Sequence, residues 1–258
     1  MTGRPVAIVT AAGRGLGEAC ARELARRGYA LALMSPSGSS ARLAKSMDAI
    51  GVDGSITAPA DLARLVEATL ERHGRIDAVV NNTGRYRALY EQIGAGSQAE
   101  VTGPRLGFDP DYAAPLLEMP DRAWHGALDF LVLHAVRMAR LVTETMVRQG
   151  KGAIVNISGL ESAEPRLVYP LGPARLALAG FTKLYADHYA RDGVRMNSVL
   201  PGFLENVVPD EGLVRAIPMG RFGTLGEIAK TVAFLLSDDA GYITGQSIVA
   251  DGGVNRAL

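Results

Sequence analysis

The chain has 258 residues, of which 48% are hydrophobic, and its 27 basic and 27 acidic side chains give a formal net charge of zero. A chain of this length can bury a large apolar core, whereas a generic nucleic-acid or anionic-membrane binder needs clustered positive charge. The single cysteine, Cys20, cannot form an internal disulfide, and no apolar run approaches the roughly 20 residues of a membrane-spanning helix. With no apolar signal segment at its start, the sequence indicates a soluble, cytoplasmic protein without a nucleic-acid or membrane partner.

Short apolar strands alternate with amphipathic helices along the chain. The predicted elements, in order, are a strand at Val6–Thr10, a helix ending at Gly28, a strand at Ala30–Met34, a helix capped by Asp61 and ending at Gly74, a strand at Ile76–Val80, a helix at Trp124–Met146, a strand at Ala153–Ile157, a helix at Ala174–Ala190, a strand at Val194–Leu200, a helix behind a Thr224–Glu227 capping box, and a strand at Ile248–Ala250.

This alternation predicts the fold class. Parallel strands need crossover connections, and helical crossovers cover both faces of the sheet. We therefore expect a single α/β domain over residues 1–258, with a Rossmann-type doubly wound parallel sheet. The hydrophobic periodicity of helices and strands is absent only from Arg85–Arg122. We interpret this range as an inserted loop, and loops of this length are usually functional or mobile.

A glycine-rich turn, Thr10–Gly17, joins the first strand to the first helix. Glycines let the backbone approach a phosphate closely, and a helix N terminus offers unpaired N–H groups with partial positive charge. The predicted phosphate-binding residues are Gly13, Arg14, Gly15, Leu16 and Gly17. A tight strand-to-helix connection without a ligand is the alternative.

Several ordered motifs together resemble the short-chain dehydrogenase/reductase family. They are TAAGRGLG, in which Ala11 replaces the first glycine of TGxxxGxG, then Asn81–Gly84 (similar to NNAG), Ile154–Ser158, Pro201-Gly202, Ile217–Gly223, and Gly241–Gly253. The resemblance implies hydride transfer between nicotinamide and a carbonyl or alcohol of a small-molecule substrate, in a homodimer or homotetramer. It also implies cofactor contacts by Asn81, Thr83, Gly84, Pro201, Gly202 and Leu204.

The choice of cofactor depends on the end of the second strand. Family members that prefer NAD carry an acidic residue there, which accepts hydrogen bonds from the ribose. This chain has Ser35 at that place, and Ser37 and Arg14 are nearby donors for a 2′-phosphate. We therefore expect NADP(H) to be favoured over NAD(H). A polar turn without a role in binding is the alternative.

The catalytic tetrad of the family is largely substituted. Its Asn, Tyr and Lys places fall on Leu131, Leu171 and Arg175, and the serine is retained as Ser158, or becomes Gly159 if the register shifts. Leucine has no proton to give, so Tyr169 is the candidate replacement acid, with packing at the sheet edge as its alternative. Arg175 can still hold ribose oxygens and stabilise negative charge. The predicted catalytic residues are Ser158, Tyr169 and Arg175.

Three functional hypotheses follow from these residues. The first is an NADP(H)-dependent oxidoreductase with an atypical acid/base. The second is a non-redox enzyme, such as an isomerase, dehydratase, cyclase or dehalogenase-like protein, and the third is a catalytically silent nucleotide-binding protein. The insert and Phe203–Ala216 suggest an apolar or ring-bearing substrate. No group of His, Cys, Asp and Glu residues has the sequence spacing of metal ligands. Further protic candidates are Glu161, Glu164, Tyr86, Tyr90 and Tyr112. His134 is expected to be a histidine of the core or of a helix surface.

Overall fold

The computed structural model describes residues 3–83, 117, 119–163, 171–206 and 211–256. In these ranges the strands are β1 (Val6–Thr10), β2 (Ala30–Ser35), β3 (Ile50–Asp53), β4 (Ala78–Asn81), β5 (Gly152–Ile157), β6 (Val194–Pro201) and β7 (Ser247–Ala250). The α-helices are α1 (Gly15–Arg26), α2 (Ser39–Lys45), α3 (Pro59–His73), α4 (Asp121–Leu128), α5 (His134–Gln149), α6 (Leu171–Tyr189), α7 (Glu211–Ala216) and α8 (Leu225–Leu236).

The strands form one parallel sheet in the order β3-β2-β1-β4-β5-β6-β7, which confirms the predicted Rossmann-type fold. From β1 the chain builds outward through β2 to β3, and then crosses back so that β4 pairs with the other side of β1. This reversal leaves a crevice at the carboxyl ends of β1 and β4. Ligands of open parallel sheets bind in such a crevice.

The sheet is covered on both faces by apolar clusters. In β1, Ile8 belongs to the cluster formed with α3, α5 and α6, whereas Ala7 and Val9 belong to the cluster formed with α1 and α8. All five residues of β1 are buried, as predicted from its uninterrupted apolar run. At about 25 cal/mol for each Å² of apolar surface removed from water, these two clusters are the main source of stability.

The structure corrects three predictions about individual elements. The short elements β3, α2 and α7 were not predicted, because they have too few residues to show periodicity. Asp61 does not cap α3, which begins at Pro59. Its carboxylate instead accepts the Ser55 N–H at 2.8 Å and pairs with Arg64. The predicted helix at Trp124–Met146 is interrupted by a π-helical segment at Asp129–Leu133.

Candidate active site

The end of β1 is tied to the end of β4. The Thr10 hydroxyl donates to the Asn82 carbonyl at 2.7 Å and accepts the Asn82 N–H at 2.9 Å. Gly17 is pressed against this junction, since a Cβ there would lie 2.3 Å from the Ala11 carbonyl oxygen and 2.7 Å from Asn82 Nδ2. A glycine is therefore required at position 17 for α1 to start at this place.

The N terminus of α1 follows the glycine-rich turn. The side chain of the N-cap residue, Arg14, makes no capping hydrogen bond, and its backbone is extended. A Cβ built on Gly15 would have Asn206 Nδ2 as its nearest neighbour, at 3.5 Å. Helix N–H groups, the positive end of the helix dipole and an amide donor thus lie together at the start of α1, a combination that suits an anion. The residues present fit the pyrophosphate of a dinucleotide.

Asn206 was not predicted from the sequence. It lies in the loop after β6, a short distance beyond Pro201-Gly202, and its side chain is exposed. That loop follows the carboxyl end of a strand, and ligands of parallel sheets bind at this end. This position is the one sequence signal that could have indicated Asn206. Its approach to Gly15 depends on the tertiary structure.

Ala11, at the place of the family's first glycine, has a φ of +47°. A left-handed backbone costs an L-residue about 1–2 kcal/mol, and glycine removes this cost at the expense of a more flexible unfolded chain. We expect Ala11→Gly to stabilise the fold by about 0.5–1 kcal/mol, measured by thermal unfolding. Ala12→Gly is the matched control, because Ala12 is buried and its φ is not positive. That change should destabilise the protein, and a similar loss for Ala11→Gly would contradict the argument.

A serine cluster borders the glycine-rich turn at the end of β2. Ser35 is buried, and its hydroxyl accepts the Ser40 N–H at 3.1 Å and lies 3.1 Å from Ser39 Oγ. Ser39 Oγ is 2.8 Å from Ser37 Oγ, and it would be 1.8 Å from a Cβ at Gly13. Ser35 and Ser39 therefore bring hydroxyls to Gly13 of the turn, and Ser37 extends the cluster through its contact with Ser39.

The other predicted cofactor residues lie at the ends of β4 and β6 and in the segments that follow them. Asn81 is buried, and its Nδ2 donates to Asn156 Oδ1 at 2.8 Å, which links the ends of β4 and β5. The Gly202 N–H donates to the Ala250 carbonyl at 3.0 Å. Leu204 is buried and pairs with Gly223. Pro201 ends β6, Thr83 follows Asn82, and Gly84 lies outside the described residues.

Ser158 and Arg175 come together at the carboxyl end of β5. The Ser158 N–H donates to the Val199 carbonyl at 2.9 Å, and its buried hydroxyl has no hydrogen-bond partner among the described residues. Arg175, on α6, lies 3.3 Å through its Nε from Glu161 Oε2. Tyr169, Glu164, Tyr86, Tyr90 and Tyr112 fall outside the described residues, so their predicted roles stay predictions.

Two of the three tetrad places that we expect to be substituted are part of the core. Leu131 is 1% exposed and Leu171 is 0% exposed, and both belong to the cluster formed with α5 and α6. His134, one turn after Leu131, is 1% exposed, as expected of a core histidine. Desolvation lowers the pKa of His134 to about 4, so its imidazole is neutral at pH 7.

An apolar cluster includes Leu160, two residues after Ser158 in the chain. Leu160, Ile217 and Val254 are buried together, and the rings of Phe203 and Phe222 pack against them with centroids 6.3 Å apart. In the described ranges, no three His, Cys, Asp or Glu side chains are grouped closely enough to hold a metal ion. The helices of those ranges include none that is long and apolar enough to span a bilayer.

Comparison with known proteins gives concordant matches over nearly the whole chain. The family model described as enoyl-(acyl carrier protein) reductase matches residues 10–103 and 98–255. The 3-oxoacyl-[acyl-carrier-protein] reductase FabG of Staphylococcus aureus is 30% identical, with 96% of this chain and 97% of the relative aligned. The dehydrogenase/reductase SDR family member 4 of Caenorhabditis elegans is also 30% identical, over 98% of this chain and 96% of the relative. The crystal structure of acetoin dehydrogenase from Enterobacter cloacae superposes with a TM-score of 0.81 at 30% identity, covering 99% and 98% of the two chains.

Proposed function

The chain belongs to the short-chain dehydrogenase/reductase family, and from this premise we propose that it is a nicotinamide-dependent oxidoreductase acting on a carbonyl or alcohol substrate. The glycine-rich turn at the carboxyl ends of β1 and β4, with the Asn206 amide beside Gly15, is the observation that carries the proposal. Its relatives are oxidoreductases by name, and the crevice has the donors that a dinucleotide needs.

The residues of the crevice divide the binding between them. The N–H groups of Gly15, Leu16 and Gly17 and the Asn206 amide would hold the phosphates. Ser158 would contact the substrate oxygen, and Arg175 would contribute positive charge at the same end. The bound nicotinamide supplies the hydride chemistry, which no side chain of the protein can supply.

Preference for NADP(H) is the finer part of the proposal. No carboxylate ends β2, the Ser39 hydroxyl borders the turn at Gly13, and the Ser37 hydroxyl lies 2.8 Å from that of Ser39. Arg42 adds a cation, with Nη1 3.6 Å from the Cβ position of Gly38. The Asp53 carboxylate, 3.8 Å from the same position, opposes it. The hydroxyls and the guanidinium favour a 2′-phosphate.

A charge added at position 37 tests this preference. Ser37→Asp places a carboxylate at an exposed site beside the turn, where it should repel a 2′-phosphate. We expect the affinity for NADPH to fall about tenfold, which corresponds to roughly 1.4 kcal/mol, with little change for NADH. Calorimetry with both nucleotides measures this. Ser46→Asp, at the other end of α2, is the matched control, and equal effects of the two variants would contradict the preference.

The direct test of the proposed function is binding followed by turnover. Calorimetry should detect NADPH or NADH, and the absorbance of reduced nicotinamide should then change when carbonyl or alcohol substrates are added. Acetoin and an acetoacetyl thioester are the first probes, because relatives are named for acetoin and 3-oxoacyl substrates. The apolar cluster of Leu160, Ile217 and Val254 supports an apolar or ring-bearing substrate. Failure to bind either nucleotide would disprove the proposal.

A second candidate function is nucleotide binding without turnover. The burial of Leu131 and Leu171 in the core favours it, because both places have lost their polar groups. Tight binding of NADPH with no change in its absorbance across the substrate panel would establish this alternative. The same result would remove the oxidoreductase assignment.

We also propose that the protein is a cytoplasmic homodimer or homotetramer. Leu176 and Leu184 are exposed on α6, and Tyr242 and Val249 are exposed beside the edge strand β7. Large apolar side chains on a helix face and a sheet edge are typical of subunit contacts.

A further inference from the structure

A buried ion pair lies beside Ser158. Glu161 belongs to a 3-10 turn, Leu160–Ser162, that follows Ser158, and Arg175 lies near the start of α6. Arg175 Nε is 3.3 Å from Glu161 Oε2, and the side chains are 6% and 10% exposed. Well-packed apolar residues often stabilise a core as well as a buried ion pair does. Stability alone therefore gives no reason for charges at this place.

The pair sits against the backbone next to Ser158. A Cβ at Gly159 would lie 2.5 Å from Glu161 Oε2 and 2.9 Å from Arg175 Cζ. The Glu161 side chain therefore folds back toward the end of β5. This position brings its carboxylate to the residue that follows Ser158, whose hydroxyl is buried without a partner among the described residues.

The residues at the tyrosine and lysine places near Ser158 cannot act as acid or base. Leu171, one turn before Arg175 on α6, is aliphatic, and a guanidinium does not release its proton at neutral pH. A substrate alcohol bound at Ser158 must lose its hydroxyl proton to a base within hydrogen-bond reach. Of the two described side chains that crowd Gly159, Glu161 is the one that can accept a proton and return it.

We propose that Glu161 is the acid/base residue of this protein and that Arg175 is the positioning residue that holds its carboxylate beside Ser158. The proposal rests on the proposed function above. In alcohol oxidation, the O–H bond breaks as its proton passes to Glu161. The C–H bond breaks as its electron pair moves as hydride to the oxidised nicotinamide dinucleotide. The alcohol becomes a carbonyl, the nicotinamide is reduced, and Glu161 then releases its proton to solvent. Carbonyl reduction is the reverse.

Glu161→Gln tests the proposal, because it keeps the shape of the side chain and removes its ability to exchange a proton. The probes are acetoin, an acetoacetyl thioester and a panel of secondary alcohols and ketones. We expect kcat/KM to fall by about 10²–10⁴-fold. Calorimetry should find NADPH affinity within about threefold of the wild type, since the phosphate-binding residues are unchanged.

Chemical rescue separates a catalytic role from a structural one. Glu161→Ala leaves a space for a small carboxylate, and added formate should raise its rate in proportion to the formate concentration. The fall of kcat/KM at acidic pH that protonation of a carboxylate base causes in alcohol oxidation should be absent from Glu161→Gln. A residue that only stabilises the fold would produce neither effect.

Glu23→Gln is the matched control. Glu23 is a similarly buried carboxylate that bonds to Arg26 and Arg27, near the end of α1 remote from the glycine-rich turn. Its replacement should lower the unfolding temperature and leave the pH profile of kcat/KM unchanged. If Glu161→Gln does not fold, Glu161→Asp replaces it, with an expected loss of rate and a retained acidic limb.

Each outcome decides the proposal. Unchanged kcat/KM in Glu161→Gln or Glu161→Asp would overturn it, as would a failure of formate to act on a Glu161→Ala variant that still binds NADPH. Wild-type protein that binds NADPH but converts no member of the panel would also overturn the assignment of Glu161, while leaving dinucleotide binding in place. Absence of nucleotide binding would instead remove the proposed function itself.

Discussion

Gly17→Ala is expected to weaken dinucleotide binding strongly. The new Cβ would lie 2.3 Å from the Ala11 carbonyl oxygen, which is backbone and cannot rotate away, so the start of α1 must shift. A shift removes N–H donors from the phosphates, and each hydrogen bond to a charged group contributes about 1.5–3 kcal/mol. Loss of two such bonds weakens binding by at least about 100-fold. Calorimetric titration with NADPH measures the effect, together with an expected destabilisation of about 1–3 kcal/mol from overpacking.

Gly226→Ala is the matched control for this change. Gly226 lies in the first turn of α8, and a Cβ there would meet only Thr224 Oγ1, at 3.9 Å. The same substitution should therefore leave NADPH binding intact and stabilise the helix by about 0.5–1 kcal/mol. If Gly17→Ala bound NADPH as tightly as Gly226→Ala, the assignment of the turn as the phosphate site would be wrong.

Folding stability is expected to decrease as the pH falls from about 6.5 to about 4, because of His134. Burial is the largest cause of the fall in the pKa of His134 from 6.5 to about 4, and the charge of Arg137 contributes to the same shift. The two ring nitrogens of His134 make no hydrogen bond with good geometry to a described residue. The nearby Phe130 carbonyl still favours the charged imidazole and offsets part of the fall in pKa. Between these pH values the unfolded chain binds the proton and the folded protein does not. The stability present above pH 6.5 therefore decreases by about 3 kcal/mol toward pH 4.

His134→Leu should remove this part of the pH dependence. Urea unfolding at a series of pH values gives the free energy of unfolding for each variant. The variant should lose less stability than the wild type between pH 7 and pH 4, because leucine does not bind a proton. His188→Gln, at an exposed position on α6, is the control. Parallel curves for wild type and His134→Leu would show that His134 does not cause the dependence.

Local sequence patterns predicted most of the fold. The apolar run of β1 and the Thr224–Glu227 capping box of α8 are encoded by neighbouring residues, and the structure confirms both. The predicted cap at Asp61 is wrong, because its carboxylate bonds to the Ser55 N–H, a contact set by how β3 leads into α3. Short elements escaped prediction because periodicity needs several turns or strand residues to become visible.

For the candidate site, the sequence by itself determined the doubly wound sheet and the glycine-rich turn, since spacing along the chain is enough to define both. It also led to the prediction that leucines stand where the family has asparagine and tyrosine. The tertiary structure alone decided that Asn206 approaches Gly15 and that Glu161 pairs with Arg175 beside Ser158. These contacts join residues from different elements, and the direction of each side chain depends on packing rather than on the residues next to it in the chain.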